Sequence, residues 1–186
     1  MAPTNRQKEL FKKLAPILGI DTRVVGYGDD EGKNSIDILS CLDPTDAEVM
    51  FYSTIGLSER EIDGRRYEIL MSGRCEFDFV PSILSTCAFF VIKDGWKCAC
   101  GNTFDTLVQM YHPNKEIKHI LFTEPYLWED KLHGFTACGE AVRFVLAVPI
   151  AQNELEYKAK FGLDALETLL EERETDIFDL DRKSVV

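Results

Sequence analysis

The amino-acid sequence predicts an α/β (α+β) fold in which a largely antiparallel β-sheet is flanked by helices on both faces. Three consecutive segments between residues 35 and 71 are rich in β-branched and aromatic side chains and are separated by turn residues, which is typical of adjacent antiparallel strands. Two later segments, 116–124 and 141–150, carry apolar side chains on both faces. Such strands are central ones that need helices on each side of the sheet.

The chain begins with a short amphipathic helix, a brief strand and a polar connector. The apolar side chains of the helix fall on one side among lysine and glutamate residues: Leu10, Phe11 and Leu14. Pro16 is expected to end this helix early, because proline has no backbone N–H to donate. A strand around Val24 and Val25 precedes the segment GYGDDEGKNS, whose Gly, Asp and Asn residues are typical of a solvated loop.

The first group of strands is expected to form an antiparallel meander. The segments SIDILSCL, AEVMFYSTIG and RRYEILM are separated by DPTD and LSEREIDG, which supply Pro, Gly and Asp for tight turns. A helix then begins behind Pro81 and Ser82. The spacing of its apolar residues predicts that it is largely buried: Ile83, Leu84, Cys87, Ala88 and Val91.

Two more helices, NELEYKAKFG and LDALETLLEERE, are expected after the last strand and are joined near Gly162. The second helix directs four leucines inward: Leu163, Leu166, Leu169 and Leu170. Residues 163–181 also hold many acidic side chains and a single basic one, Arg173. This acidic stretch either attracts a basic partner or is the solvated face of a surface helix.

The charge of the chain restricts its direct ligands. Its formal net charge is −11, with 32 acidic residues against 21 basic ones. Such a surface repels nucleic acid and anionic membranes, whereas it suits a basic protein partner. The same charge also serves solubility. No apolar run reaches the length of a signal peptide or a membrane span, so we expect a cytoplasmic protein.

The cysteines raise the question of a metal or redox site. Cys41, Cys75, Cys87 and Cys138 lie in apolar or strand-like stretches, which predicts reduced and mostly buried thiols. Within GWKCACGNTF, however, Cys98 and Cys100 are separated by one residue. Paired zinc ligands are usually two to four residues apart, and redox pairs have Cys-x-x-Cys spacing. We therefore interpret this stretch as a turn closed by Gly101 and Asn102, with Trp96 beside it.

Other catalytic patterns are weak. His119 lies on a predicted strand, where a hydrogen-bonded structural role is expected. Ser58 lacks the Gly-x-Ser-x-Gly elbow of a nucleophile, and the chain has neither a phosphate-binding loop nor a His-Glu-x-x-His motif. The sequence predicts no catalytic residues, no metal and no cofactor. The alternative is a metal- or thiol-dependent enzyme that uses Cys98, Cys100 and a histidine.

Several stretches together resemble the suppressor of fused domain family. They are TIGLS at 54–58, HILFTE at 119–124, and FVLAVPIAQNELEYKAKFGLDALETLL followed by DLDRKS. The resemblance covers roughly residues 34–184 in consistent order. It implies an α/β sandwich with a mixed sheet, a turn without metal at Gly101, no catalytic activity and a protein-binding role. Residues 1–33 are expected to pack on this domain as an N-terminal helix and connector.

The resemblance implies two kinds of binding function. Eukaryotic members of the family have a second domain and hold an extended peptide, partly by strand addition, whereas single-domain bacterial relatives serve as immunity proteins. This small, acidic chain resembles the second group. We therefore expect an immunity protein that occludes the active site of a cognate, basic toxin. The alternative is a regulator or scaffold that binds an extended peptide.

The loop EPYLWEDKLHGF is the first candidate for the contact surface. Tyr126 and Trp128 are expected to anchor the interface there, since aromatic residues dominate binding energy at protein interfaces. Three acidic residues of the loop would meet basic groups of the partner: Glu124, Glu129 and Asp130. Trp128 could instead pack on its own sheet. A second candidate is the acidic connector: Asp29, Asp30 and Glu31.

Overall fold

The computed structural model describes residues 2–186 as a β-sheet with helices on both faces. The four α-helices of this described part are α1 (Asn5–Leu18), α2 (Val80–Asp94), α3 (Gln152–Phe161) and α4 (Leu163–Glu172). Its strands are β1 (Ile20–Gly28), β2 (Ser35–Leu42), β3 (Val49–Ile55), β4 (Arg66–Arg74), β5 (Thr103–Phe104), β6 (Ile117–Thr123), β7 (Thr136–Ala137) and β8 (Glu140–Ala151). Short 3₁₀ segments lie at Leu57–Glu59, Val108–Met110 and Tyr126–Leu132.

The strands form one open sheet in the order β1-β2-β3-β4-β8-β6-β5, with β7 paired to β8. The first four strands are the predicted antiparallel meander. Between β4 and β8 the pairing is parallel, while β8 pairs antiparallel with β6. The prediction of a mixed, largely antiparallel sheet with helices on both faces is therefore confirmed. No helix within residues 2–186 is both long and apolar enough to span a bilayer.

Each face of the sheet carries its own core. On the first, the α2 face, Ile83 and Leu84 of α2 lie in one buried cluster with Ile69 and Met71 of β4. The opposite face, the α4 face, buries side chains from three elements that cover it: Leu10 and Leu14 of α1, Trp128 of the 124–135 loop, and Leu166 and Leu170 of α4. Because β4 lies in the middle of the sheet, alternate residues of this strand enter opposite cores.

The N-terminal part differs from its prediction. The α1 helix does not end at Pro16 but continues to Leu18. Only two residues follow the proline, and Leu18 is 1% exposed, so its burial offsets the single lost hydrogen bond. The expected short strand around Val24 is the nine-residue β1, which pairs along β2 from Ile20 onward.

The prediction of mostly buried thiols, made for Cys41, Cys75, Cys87 and Cys138, is wrong for Cys75 and Cys138. Cys41, Cys87 and Cys98 are buried, whereas Cys75, Cys100 and Cys138 are exposed. Cys75 follows the last residue of β4, and Cys138 lies in the tight turn between β7 and β8 with φ of 51°. Their neighbours in sequence are strand-like, but turn positions at the ends of strands face solvent.

Candidate functional site

The segment TIGLS encloses a buried carboxylate. Glu68 of β4 is 0% exposed, and Thr54 Oγ1 and Ser58 Oγ donate hydrogen bonds to it at 2.6 and 2.7 Å. The backbone N–H groups of Gly56 and Ser58 donate two more, at 3.0 and 3.1 Å. Gly56 has φ of 114°, which glycine adopts without strain, so the chain can turn back over the carboxylate. This motif is therefore built around Glu68.

The environment of Glu68 favours its neutral form. Among residues 2–186 no lysine, arginine or histidine forms an ion pair with this carboxylate. Burial raises the pKa of Glu68, because the loss of solvent outweighs the opposing effect of its hydrogen-bond donors, led by Thr54 and Ser58. A buried carboxylate without a cation next to it serves here to fix the turn that joins β3 to β4.

The last family-like stretch, FVLAVPIAQNELEYKAKFGLDALETLL with DLDRKS, surrounds another buried carboxylate. Glu154 in the first turn of α3 forms a bidentate pair with Arg182, with Oε1–Nη1 at 2.7 Å and Oε2–Nη2 at 2.9 Å. The backbone N–H groups of Ala151 and Val185 donate to the same carboxylate at 2.8 and 3.0 Å. Arg182 also donates to Pro149 O at 2.9 Å. This network attaches the C-terminal DLDRKS segment to the junction between β8 and α3.

Glu154 titrates in the opposite direction from Glu68. Burial works to raise the pKa of Glu154, but the hydrogen bond and positive charge of Arg182, together with two backbone N–H donors, outweigh it. The pKa of Glu154 is therefore lowered, and the carboxylate stays charged. The TIGLS segment and the junction between β8 and α3 thus each hold a structural carboxylate.

The GWKCACGNTF stretch is a hydrogen-bonded turn, as the residues indicate. Gly101 has φ of 85°, and its N–H donates to Phe122 O at 2.7 Å, while Phe122 N–H donates to Asn102 O at 3.0 Å. Trp96 stacks on Phe90 with ring centroids 4.4 Å apart. These contacts fasten the turn to the end of β6 and to the C-terminal end of α2.

Burial holds both thiols of this turn in their protonated form. Burial raises the pKa of Cys98 to about 12, and partial burial also raises the pKa of Cys100, so both remain protonated at neutral pH. Within residues 2–186 no group of three or more His, Cys, Asp or Glu side chains is positioned to hold a metal ion.

The histidines are dispersed. His119 is 2% exposed, and its Nδ1 accepts a hydrogen bond from Thr106 N–H at 3.1 Å, so its expected structural role agrees with its contacts. Burial lowers the pKa of His119 and keeps the ring neutral. His112 pairs with Asp181, and His133 lies 3.3 Å from Asp130 in the 124–135 loop. None of them shares a site with Cys98.

The 124–135 loop exposes Tyr126 and buries its other two aromatic residues, Trp128 and Phe135. Tyr126 is 52% exposed, but Trp128 is only 4% exposed and packs edge-to-face on Phe51, with centroids 5.0 Å apart. Trp128 therefore packs on its own sheet, which was the alternative to a partner contact, because an indole on the α4 face gains more by burial against the sheet. Trp128 packs on the sheet and so anchors the loop to it, while Glu129 and Asp130 of the loop are exposed.

Acidic residues from two elements lie near one another beside Tyr126, with Glu167 nearest to its hydroxyl. Glu124 from the loop lies near Asp164 and Glu167 of α4, and we call these three residues with Tyr126 the acidic patch. Partial burial, followed by repulsion from Asp164 and Glu124, raises the pKa of Glu167. A cation placed here would relieve that repulsion. The acidic run after residue 162 was the only sequence signal for Asp164 and Glu167, and it did not indicate that they meet the loop.

The acidic connector, residues 29–31, does not belong to the acidic patch. Asp29 fixes its own turn, since its carboxylate accepts hydrogen bonds from Lys33 N–H at 2.8 Å and Asn34 Nδ2 at 2.7 Å. The side-chain bond from Asn34 leads the contacts that lower the pKa of Asp29. Glu31 pairs with Lys33 at 2.8 Å, and Asp30 is exposed. The β1–β2 hairpin that carries these residues is at the far edge of the sheet, so the two predicted surfaces do not meet.

A groove of about 470 Å³ separates the 124–135 loop from the start of β8. The loop contributes Pro125, Leu132, His133 and Phe135 to its lining, and the cysteine-containing turn contributes Ala99 and Cys100. The sheet contributes Tyr67 of β4, Arg143 of β8 and Arg65, which directly precedes β4. Glu124 lies at the same groove. The loop and the cysteine-containing turn, which are separate in sequence, therefore border one surface depression next to the acidic patch.

Comparison with known proteins identifies relatives over the whole chain. The suppressor of fused protein family matches residues 32–183. The chain is 36% identical over 192 residues to the immunity protein YqcF of Bacillus subtilis (strain 168), and the match covers 100% of each. This identity and coverage are those of a true relative, and the match extends through both carboxylate networks.

Solved structures share the fold. A protein of Neisseria gonorrhoeae FA 1090 described as a suppressor of fused homologue has a TM-score of 0.73 at 18% identity, covering 97% of both chains. The Sufu–Fu complex gives 0.68 at 12% identity over 99% of this chain and 93% of that one. Drosophila Suppressor of Fused gives 0.63 at 13% identity over 98% of this chain and 52% of its own. From the family match and the full-length relative together, the chain belongs to the suppressor of fused protein family.

Proposed function

We propose that this chain is a non-enzymatic immunity protein that acts in the cytoplasm by covering the active site of a cognate basic toxin. The observation that carries the proposal is the acidic patch, in which exposed Tyr126 lies beside Glu167 and Glu167 lies near Glu124 and Asp164. The full-length relative is an immunity protein, and one structure with this fold is a complex with a second protein. Both support a protein as the partner.

The patch has the features that an anchor for a basic protein requires. Tyrosine is enriched among the residues that dominate interface energies, because it buries a rigid ring and keeps a polar tip. The carboxylates of the patch belong to a chain with a net charge of −11. The negative electrostatic potential therefore acts on a basic partner before the two surfaces touch. Such a field raises the association rate with a basic partner and is weakened by salt.

The first experiment is affinity capture from the native cytoplasm at low and then moderate salt, with retained proteins identified by mass spectrometry. A single basic, toxin-like protein whose activity is blocked stoichiometrically by this chain is the expected outcome. A regulatory protein captured in its place would contradict the immunity proposal and favour the peptide-binding one. Turnover of a substrate by the purified chain would contradict the non-enzymatic part.

Neutralising the patch is expected to slow association. The double variant E124Q/E167Q should lower the association rate several-fold at low salt, because two charges next to the contact are lost. The matched control is D21N/E76Q, which removes the same charge from two exposed carboxylates that form no ion pair within residues 2–186. Stopped-flow or surface-based kinetics, recorded at low and at high salt, measures the association rates of both variants. Equal rates for the two variants would place the contact elsewhere.

Substitutions at Tyr126 and Trp128 separate binding from folding. Tyr126→Ala should weaken the complex by about tenfold or more, while its free energy of unfolding changes by no more than about 0.5 kcal/mol. Trp128→Phe should lower the free energy of unfolding by about 1–2 kcal/mol through a cavity beside Phe51 and leave the affinity close to that of the wild type. Denaturant unfolding and equilibrium titration measure these effects. The opposite pattern would make Trp128 the contact residue.

A second candidate function has one observation in its favour. The β1 strand is a free edge of the sheet, with Ile20, Val24 and Val25 each about half exposed. An extended peptide can add to such an edge by main-chain hydrogen bonds. The charged residues Asp21 and Arg23 and the irregular pairing at this point oppose it, since charges and bulges protect edges. For this reason the acidic patch is the better supported surface.

A further inference from the structure

Two arginines lie side by side on the α2 face where the groove begins. In the parallel pairing of β4 with β8, Tyr67 is the partner of Arg143, so the two side chains point to the same face. Arg65 is two residues before Tyr67 and therefore shares that face. Both arginines line the groove, and both are exposed.

These two arginines form no ion pair within residues 2–186. Other arginines of the chain do: Arg6 and Arg66 with Glu140, Arg74 with Asp176, and Arg182 with Glu154. The contrast with Arg66 is direct, because it is adjacent to Arg65 in sequence and contacts Glu140 at 3.1 Å. Glu124 lines the same groove, and Glu61 and Glu140 line the depression next to it, yet none of these carboxylates forms an ion pair with Arg65 or Arg143. The guanidinium groups of both arginines therefore remain available to a partner.

We propose that the groove receives an acidic side chain from the protein partner and that Arg65 and Arg143 bind its carboxylate. The inference rests on the proposed function in that the partner is a protein. Paired guanidinium groups offer several N–H donors in the planar geometry that suits a carboxylate. The apolar lining, which includes Tyr67, Leu132 and Phe135, would contact the stem of the inserted residue.

The net charge of the chain favours an acid delivered by a protein over a free anion. A small anion approaches a surface of net charge −11 against repulsion and then occupies an open groove, where exposed ion pairs contribute little. A basic protein is attracted by the same field and brings its acidic residue with it. Once docked, it excludes water from the groove, and charge-assisted hydrogen bonds become stronger there.

The arginine pair also gives the surface a means of discrimination. A basic toxin that lacks the acidic residue would be drawn to the acidic patch but would cover two arginines without pairing them. A buried charge without a partner is strongly unfavourable, so this non-cognate complex would be rejected. The acidic patch then supplies attraction, and Arg65 with Arg143 selects among basic partners.

The test uses a phage-displayed library of random 12-residue peptides, which needs no identified toxin. Purified wild type should enrich peptides that carry Asp or Glu at one position, and R65Q/R143Q should lose this enrichment. R65E/R143E should instead select Lys or Arg at that position. The matched control is R23Q/R173Q, which removes two exposed arginines that also lack ion pairs, and it should select the wild-type peptides.

The binding of a synthetic peptide of the selected sequence is then measured with the same variants. Replacing its acidic residue with the amide should weaken binding to wild type at least tenfold and leave binding to R65Q/R143Q unchanged. Unaltered melting temperatures show that the variants fold. Failure to enrich acidic peptides, or identical selection by R65Q/R143Q, overturns this inference alone. The proposed function fails separately, if the captured partner is not a toxin neutralised by the chain.

Discussion

Replacing Arg182 with methionine is expected to lower the free energy of unfolding by about 3–5 kcal/mol, because it leaves the Glu154 carboxylate buried without its cation. Glu154 is 0% exposed and Arg182 is 8% exposed, so water cannot substitute for the lost partner. The variant also loses the hydrogen bond from Arg182 to Pro149 O. Urea denaturation of R182M against wild type measures the change.

The double variant E154Q/R182M is the control for this explanation. Glutamine carries no charge, so part of the stability should return, although its single carbonyl oxygen accepts from only one of the N–H groups of Ala151 and Val185, which bind different oxygens of Glu154. Hydrogen exchange should show the loss in R182M first at residues 179–186, the segment that the ion pair attaches. If E154Q/R182M is less stable than R182M, charge burial is not the cause.

Much of the fold follows from patterns that are local in sequence. The meander from β2 to β4 and the helices α2, α3 and α4 each have their own periodicity and turn residues, and these are sufficient to place them. The parallel pairing of β4 with β8 is different, because the strands are far apart in sequence and no local pattern specifies a partner. Here the resemblance to a family implied a mixed sheet, and the residues alone did not.

The candidate site was less predictable because it depends on such distant pairings. The loop around Tyr126 could be singled out by its composition, but whether Trp128 points to solvent or to Phe51 depends on the strand beneath it. Arg65 and Arg143 become neighbours only through the β4–β8 register. The role of TIGLS was also hidden, since Glu68 lies in the following strand, where it resembles any polar residue of an alternating pattern.

Replacing Glu68 with leucine is expected to lower the free energy of unfolding by about 2–6 kcal/mol. Leucine accepts no hydrogen bond, so the buried N–H groups of Gly56 and Ser58 lose their partner, and each orphaned donor costs about 1–3 kcal/mol. Glu68→Gln is the matched variant, because the amide oxygen can still accept from both N–H groups. We expect E68Q to unfold close to wild type in urea, whereas a loss equal to that of E68L would show that the carboxylate charge is essential.

The pH dependence of these variants distinguishes the two buried carboxylates. The pKa of Glu68 is raised on folding, so its contribution to stability is fully present below the unfolded-state pKa and is lost as pH rises through the folded-state pKa. Relative to wild type, E68Q should therefore gain stability as pH increases from the acidic range towards neutral. Glu154 has a lowered pKa, so its contribution is present above the unfolded-state pKa and is lost as pH falls through the folded-state value. E154Q should consequently lose stability against wild type as pH rises from the folded-state pKa of Glu154 to the unfolded-state value, whereas E68Q gains stability only above the unfolded-state value. Changes of the same sign in the two pH profiles would contradict the opposite environments assigned to Glu68 and Glu154.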